Sequence, residues 1–350
     1  MKPVLDIGGR KIGPDFPPYV IAEMSGNHNG DLARALEIVV AAKDAGADAL
    51  KLQTYTADTI TIDYDGPGFT VEGTLWEGRT LHDLYDEAHT PWAWHKPIFD
   101  KARELGIPVF SSPFDFTAID FLEELGCPAY KIASFEIVDL PLIERAATTG
   151  KPLIISTGLA NSDEIAEAIA AAKTGGGQDP AILHCISTYP TAPENCNLQI
   201  IPNMIDRFKT VVGFSDHTLG TAAAVAAVAL GASIIEKHIT LDRADGGPDA
   251  AFSLEPGEFA AMVRDCNVAF AARGHGGFER PQAEDGLAVF RRSLYVVEDI
   301  AAGERFTARN VRSIRPGHGL PPKYLSGVMG RTAARDLKRG TPLSWDVIAK

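Results

Sequence analysis

The chain has 350 residues, 45% hydrophobic and 23% charged, which is enough to bury a full core and by size suggests one large and one small domain. A formal net charge of -13 argues against non-specific nucleic-acid binding, and no run of about 18 uncharged apolar residues suggests a membrane span. The N-terminal MKPVLDIGGRKIG lacks the apolar core of a signal peptide, and Cys127, Cys185, Cys196 and Cys266 form no CxxC spacing, so a cytoplasmic protein with free thiols is expected.

From Tyr19 to about Arg273, short β-branched runs alternate with amphipathic helical stretches, the pattern of a parallel sheet. Eight runs are predicted as strands: Tyr19 to Ala22, Ala49 to Leu52, Pro108 to Phe110, Ala129 to Ile132, Pro152 to Ile155, Ala181 to His184, Thr210 to Gly213 and Ser233 to Glu236. With intervening helices and a last one near Pro256 to Ala272, they predict a (β/α)₈ TIM barrel over residues 1–273. An open doubly wound sheet is the alternative, but no GxGxxG turn follows the first strand. The segment between Gln53 and the helix near Trp92 to Leu105 is too long for an ordinary barrel loop and reads as a lid or partner contact. A Gly-rich linker covers 274–290, and short strands with turn signals predict a small β-rich domain over 291–350. That last domain carries 12 Lys/Arg against 5 Asp/Glu, leaving 21 against 41 before it, an asymmetry that favours attraction within or between subunits.

In a parallel α/β architecture chemistry collects at the carboxyl ends of the strands. His217 and His238 each follow a strand there, and adjacent strands would bring both to one divalent metal, leaving positions open for water and substrate. Lys51 and Lys131, with hydroxyls on other strand ends, suit a small multiply charged anion such as a phosphate-bearing substrate. The same lysines could instead pair with Glu23 or Glu136, or form a Schiff base as in imine-type aldolases.

AEMSGNHNG, KLQTYT, SSPFD, PAYKIASFE, ISTGLA, GFSDHTLG and EKHIT together resemble the sialic acid synthase family over nearly the whole chain, and the C-terminal part is similar to that family's antifreeze-like (SAF) domain. The resemblance implies metal-dependent condensation of phosphoenolpyruvate with an amino-sugar aldehyde and release of phosphate. NHNG, KLQTYTADT, LHDLYDEAHTPWAWHKPIF and RADGGPDAAFSLEP most resemble the pseudaminic acid branch, implying 2,4-diacetamido-2,4,6-trideoxy-L-altrose as acceptor.

By the same resemblance, His217 and His238 hold the metal, with Mn²⁺ expected and Mg²⁺ or Co²⁺ as alternatives. Lys51, Ser112, Lys131, Ser134, Ser156 and Ser215 hold phosphoenolpyruvate, while Glu23, Gln53, Tyr189 and Asp249 face the sugar. Arg315 matches an arginine that enters the other subunit's site in a domain-swapped homodimer, and Ser187 stands where relatives often carry asparagine. A carboxylate is needed near the water that adds to C2; Glu136 and Glu23 are the candidates. The methyl of a trideoxy sugar calls for an apolar wall, which Phe69, Leu75, Trp76 and Leu84 of the long insertion could supply. Other readings are an N-acetylneuraminic or legionaminic acid synthase, a metal-dependent pyruvate aldolase, and a non-catalytic carbohydrate- or ice-binding protein.

Overall fold

The computed structural model describes residues 2–349 apart from Thr74, Leu75 and His275. Two compact units divide after Gly274. The first opens with an antiparallel hairpin, β1 (Leu5–Ile7) and β2 (Arg10–Ile12), which the sequence pattern does not single out. Gly8 and Gly9 supply its turn at φ of 61° and 84°, a region that side chains disfavour, and Leu5, Ile7 and Ile12 are buried.

Eight parallel strands then close into a barrel: β3 (Tyr19–Glu23), β4 (Ala49–Thr54), β5 (Val109–Pro113), β6 (Tyr130–Ile132), β7 (Leu153–Ser156), β8 (Ala181–Cys185), β9 (Val212–Asp216) and β10 (Ile234–His238), with β10 returning to pair with β3. The helices are α1 (Leu32–Asp44), α2 (Ala57–Ile60), α3 (Leu81–Ala88), α4 (Trp92–Leu105), α5 (Phe116–Glu124), α6 (Leu140–Ala147), α7 (Ser162–Thr174), α8 (Ile200–Phe208), α9 (Ala222–Ala229) and α10 (Pro256–Arg273). Barrel strands are covered by helices outside and packed side chains inside, which is why they read as apolar runs with no alternation. Several βα loops end on a short polar cap: Asp31, Asp115, Asp139 and Asn161 each accept a backbone N–H from the first turn of the following helix.

The predicted strands all form, but most run further than their apolar cores suggest: β4 reaches Thr54, β5 Pro113, β9 Asp216 and β10 His238. Barrel pairing extends them through polar residues, so much of the polar set stands on rigid backbone rather than in loops. Ser215 pairs in register with Glu236, Asp216 with Lys237, His238 with Glu23, and Glu23 with Lys51. The long second connection contains α2 and α3, with Leu84 buried.

The second unit has its own core of Leu294, Val296, Ile300, Phe306, Val311 and Leu343. Its strands β11 (Ser293–Val296) and β12 (Val311–Ile314) pair antiparallel, followed by the single turn α11 (Leu325–Val328). Within the stretch expected to be linker, Gln282–Phe290 forms a 3₁₀ helix with no buried residue. Among the described residues no helix is long and apolar enough to cross a membrane. The four cysteines are free and buried.

Candidate active site

The centre of the barrel mouth is a buried set of opposite charges. Lys51 Nζ lies 2.8 Å from Glu23 and 3.5 Å from Glu236, while Lys131 Nζ lies 3.2 Å from Glu236. The lysines are therefore ion-paired, as the alternative reading of the sequence allows: Lys51 with Glu23, while the partner of Lys131 is Glu236, which that reading does not name. Ser215 Oγ also donates to Glu236, at 3.2 Å, and Lys51 reaches Ser112 Oγ at 3.4 Å. Burial opposes ionisation of Glu236, but Lys131 and Lys51 outweigh it and pull its pKa down to about 2. Burial likewise opposes the Lys51 charge, and Glu23 and Glu236 overcome it to hold its pKa above the usual lysine value. Lys131 moves the other way: burial lowers its pKa against the pull of Glu236, so the two lysines of the mouth are not equivalent. Glu236 Oε2 is buried and makes no hydrogen bond, while Glu23 Oε2 faces Lys51. Sequence pattern does not single out Glu236 from its neighbours in EKH; its bonds to both lysines place it at the hub.

Hydroxyl groups line the side of the mouth beside Lys131. Ser156 Oγ is buried and unbonded, and Ser134 Oγ accepts the Gly158 N–H at 3.3 Å. A Cβ on Gly158 would lie 2.3 Å from Ser187 Oγ and 2.7 Å from Ser134 Oγ, so glycine here lets three strand-end loops approach one another. The arrangement gives a phosphate donors on several sides, with Lys131 behind them. Cys185 adds a thiol that its lack of CxxC spacing conceals, 3.7 Å from Ser187 Oγ and 3.8 Å from His217 Nδ1.

His217 and His238 meet with ring centroids 5.5 Å apart. His217 Nδ1 faces the Ile186 carbonyl at 3.0 Å, which can only accept, so Nδ1 carries a proton and the neutral form of the ring has its lone pair on Nε2. His238 is pushed well below the ordinary histidine pKa by burial and by His217, and its Nδ1 is buried with no hydrogen bond, 3.9 Å from Asp249 Oδ2. Two imidazoles with free lone pairs suit a divalent metal that takes its other ligands from water and substrate. Among the described residues no set of three or more His, Cys, Asp or Glu side chains is arranged for a metal. The donor set therefore fits an open two-histidine site and not a closed structural one.

The sugar-facing candidates adjoin the lysines and histidines. Gln53 Nε2 donates to Glu23 Oε1 and Ser25 Oγ, each at 3.1 Å. Asp249 is buried and accepts from Ser25 and the Gly26 N–H. The Tyr189 ring lies 4.4 Å from that of His217. Glu136 sits on the 3₁₀ turn after β6; one carboxyl oxygen is buried and unbonded, and burial lifts its pKa to about 7.

Several polar strand ends serve the frame instead. Ser111 bonds Thr54, which bonds His95 of α4, and His184 Nε2 bonds the Cys196 carbonyl. Lys237, fully buried, holds Asp216 at 2.9 Å and also the Thr218 carbonyl, while Asp216 accepts the Thr218 N–H and hydroxyl, each at 2.8 Å; together they fix the turn that carries His217. Arg315 belongs to the second unit, exposed just beyond β12.

The model of the NeuB family matches residues 38–277. The chain belongs to the NeuB family. The SAF domain model matches residues 291–349. A pseudaminic acid synthase from Helicobacter pylori is 42% identical over 335 residues, 95% of this chain and 98% of that relative. One from Campylobacter jejuni serotype O:2 is 44% identical over 329 residues, 94% and 96%. Among solved structures, an N-acetylneuraminic acid synthetase from Leptospira borgpetersenii, in complex with citrate, aligns with a TM-score of 0.74 at 32% identity over 82% of this chain and 95% of that one. The resemblance read from the strand-end motifs thus holds along the whole chain.

Proposed function

We propose that the protein is a pseudaminic acid synthase, condensing phosphoenolpyruvate with 2,4-diacetamido-2,4,6-trideoxy-L-altrose and water to give pseudaminic acid and phosphate. The observation that carries this reading is the juxtaposition, inside one barrel mouth, of a lysine–hydroxyl cradle for a phosphate-bearing anion with two neighbouring imidazoles. The sugar is supported by the 42% and 44% identity to pseudaminic acid synthases.

In this reading Lys51, Lys131, Ser134, Ser156 and Ser215 hold phosphoenolpyruvate, with Ser112 beside Lys51 and Ser187 beside Gly158. Glu23, Gln53, Tyr189 and Asp249 orient the acceptor. His217 and His238 would hold a divalent cation, Mn²⁺ by preference, which supplies Lewis-acid polarisation of the acceptor aldehyde when bound. C3 of phosphoenolpyruvate attacks that carbon and positive charge develops at C2, close to the carboxylates of the mouth. Water adds at C2, Glu136 takes its proton, and the C2–O bond breaks to release phosphate. A pKa of about 7 poises Glu136 for this work, whereas Glu23 is engaged by Lys51 and Gln53.

A swapped homodimer belongs to the same proposal, with Arg315 reaching the mouth of a second copy. Phe116, Phe135, Val138 and Leu159 support it: they are 49%, 58%, 63% and 80% exposed, on segments that follow β5, β6 and β7 around the mouth. The excess positive charge of residues 291–350 suits an acidic barrel.

The test is phosphate release by metal-stripped protein given phosphoenolpyruvate and Mn²⁺, with the trideoxy-altrose acceptor or N-acetylmannosamine. Release with the first sugar alone, lost without metal, is expected. Release with N-acetylmannosamine alone would keep the chemistry and overturn the sugar; release with neither would overturn the enzyme reading.

A further inference from the structure

The long connection between β4 and α4 sends one side chain to the edge of the site. Of the apolar residues expected to form a wall, Phe69 packs on Tyr64 within the connection itself, Leu84 is buried on α3, and Leu75 lies outside the described residues. Trp76 instead reaches the loop after β10, where its indole N–H donates to the Pro248 carbonyl at 3.0 Å, one residue before Asp249. Its ring centroid lies 5.7 Å from that of Tyr189, which lies 4.4 Å from His217 and 5.3 Å from Phe252; Phe252 in turn lies 5.0 Å from His238. Trp76, Tyr189 and Phe252 thus form an aromatic arc flanking both imidazoles, while Glu23, Gln53 and Asp249 are the polar groups there.

An acceptor whose carbonyl reaches the imidazoles meets these rings as well as the polar groups. Indole has a single polar group, a donor, and here that donor is spent on Pro248. Apart from that N–H, the indole ring is apolar. Resting on the functional reading above, we propose that Trp76 selects the acceptor at its deoxy end: the indole is the wall against which the C6 methyl packs, and a C6 hydroxymethyl would lose its hydration there without compensation. A hydrophobic wall of this kind discriminates against an added hydroxyl by about 10- to 100-fold.

The experiment compares kcat/KM of the full-length wild type, Trp76→Phe and Trp76→Gln, each loaded with Mn²⁺, for the trideoxy-altrose acceptor and its 6-hydroxy analogue. Trp76→Gln is expected to lower the deoxy-to-hydroxy preference by about tenfold or more, mainly by loss of the deoxy acceptor, with KM for phosphoenolpyruvate within about twofold of wild type. Trp76→Phe keeps an apolar ring but lacks the N–H that holds Pro248, and is expected to retain most of the preference. If Trp76→Gln slows both acceptors equally, or if Trp76→Phe loses as much preference as Trp76→Gln, then Trp76 acts only by pinning the loop and the inference fails while the functional reading stands. If the wild type releases phosphate with neither altrose-type acceptor, the functional reading fails and takes the inference with it.

Discussion

Two buried assemblies of lysine and carboxylate meet on β10, where Glu236 of one and Lys237 of the other are consecutive, and they are built for opposite ends. On one face of β9 and β10, every polar side-chain atom of Lys237 and Asp216 has a partner: the ammonium has a carboxylate and a carbonyl, and the carboxylate has an ammonium, an N–H and a hydroxyl. In the mouth, Lys51, Lys131, Glu23 and Glu236 share bonds unequally: both oxygens of Glu23 are engaged, whereas Glu236 leaves one oxygen unbonded, as do Glu136 and Ser156 nearby. A saturated buried pair has nothing left to offer and can only hold structure, whereas unmet hydrogen-bonding capacity in a dry interior is costly unless a ligand completes it. Saturation, more than burial or charge, separates frame from site here.

The contrast is tested by removing one member at a time from each side. Glu136→Gln keeps the shape of its unsatisfied side chain and removes the base; kcat should fall by on the order of 10²–10⁴-fold with modest change in KM. A base must be deprotonated to act, so wild-type activity should fall as pH drops through about 7, and this acid limb should be absent from the variant's residual activity. Near-normal turnover would remove Glu136 from that role. On the frame side, Lys237→Met strands Asp216 in the interior, and urea unfolding should show a loss of about 3–5 kcal/mol. Its residual folded fraction should also bind Mn²⁺ more weakly by calorimetry, because the turn carrying His217 is no longer pinned.

Lys131→Met should show the reverse balance. Lys51 remains beside Glu236, so unfolding stability should shift less than in Lys237→Met, while kcat/KM for phosphoenolpyruvate should fall on the order of 100-fold. Equal stability losses in the two lysine variants would dissolve the distinction. The smallest effect is expected for Ser156→Ala: an unbonded hydroxyl is lost, so stability should hold or rise slightly, and KM for phosphoenolpyruvate should rise by roughly five- to tenfold for one hydrogen bond of about 1 kcal/mol.

Sequence periodicity revealed the barrel because buried strands and amphipathic crossovers repeat with distinct patterns, and it placed both histidines on neighbouring strands. It could not sort the polar residues at the strand ends. Glu236, Lys237 and His238 are consecutive and read as one polar end, yet Glu236 and Lys237 enter different assemblies, because successive side chains alternate between the two faces of a strand and only register shows which face is which. For the same reason Ser111 and Ser112 part company, one bonding to Thr54 and the other to Lys51. Cys185 and Gly158 draw their importance from neighbours distant in sequence, which spacing does not encode. The opening hairpin is hidden because strands of three residues carry too little periodicity, although its Gly8-Gly9 turn is a hairpin signal.

The pairing of β10 with β3 has a consequence for biosynthesis. Glu23 and His238 are register partners although 215 positions separate them in the chain. A nascent polypeptide that has emerged only as far as β9 carries both lysines and most of the hydroxyls, but has neither Glu236 nor His238, and its first strand still has an open edge. The barrel therefore closes, and the buried charges of the mouth come together, only when the eighth stave has left the ribosome.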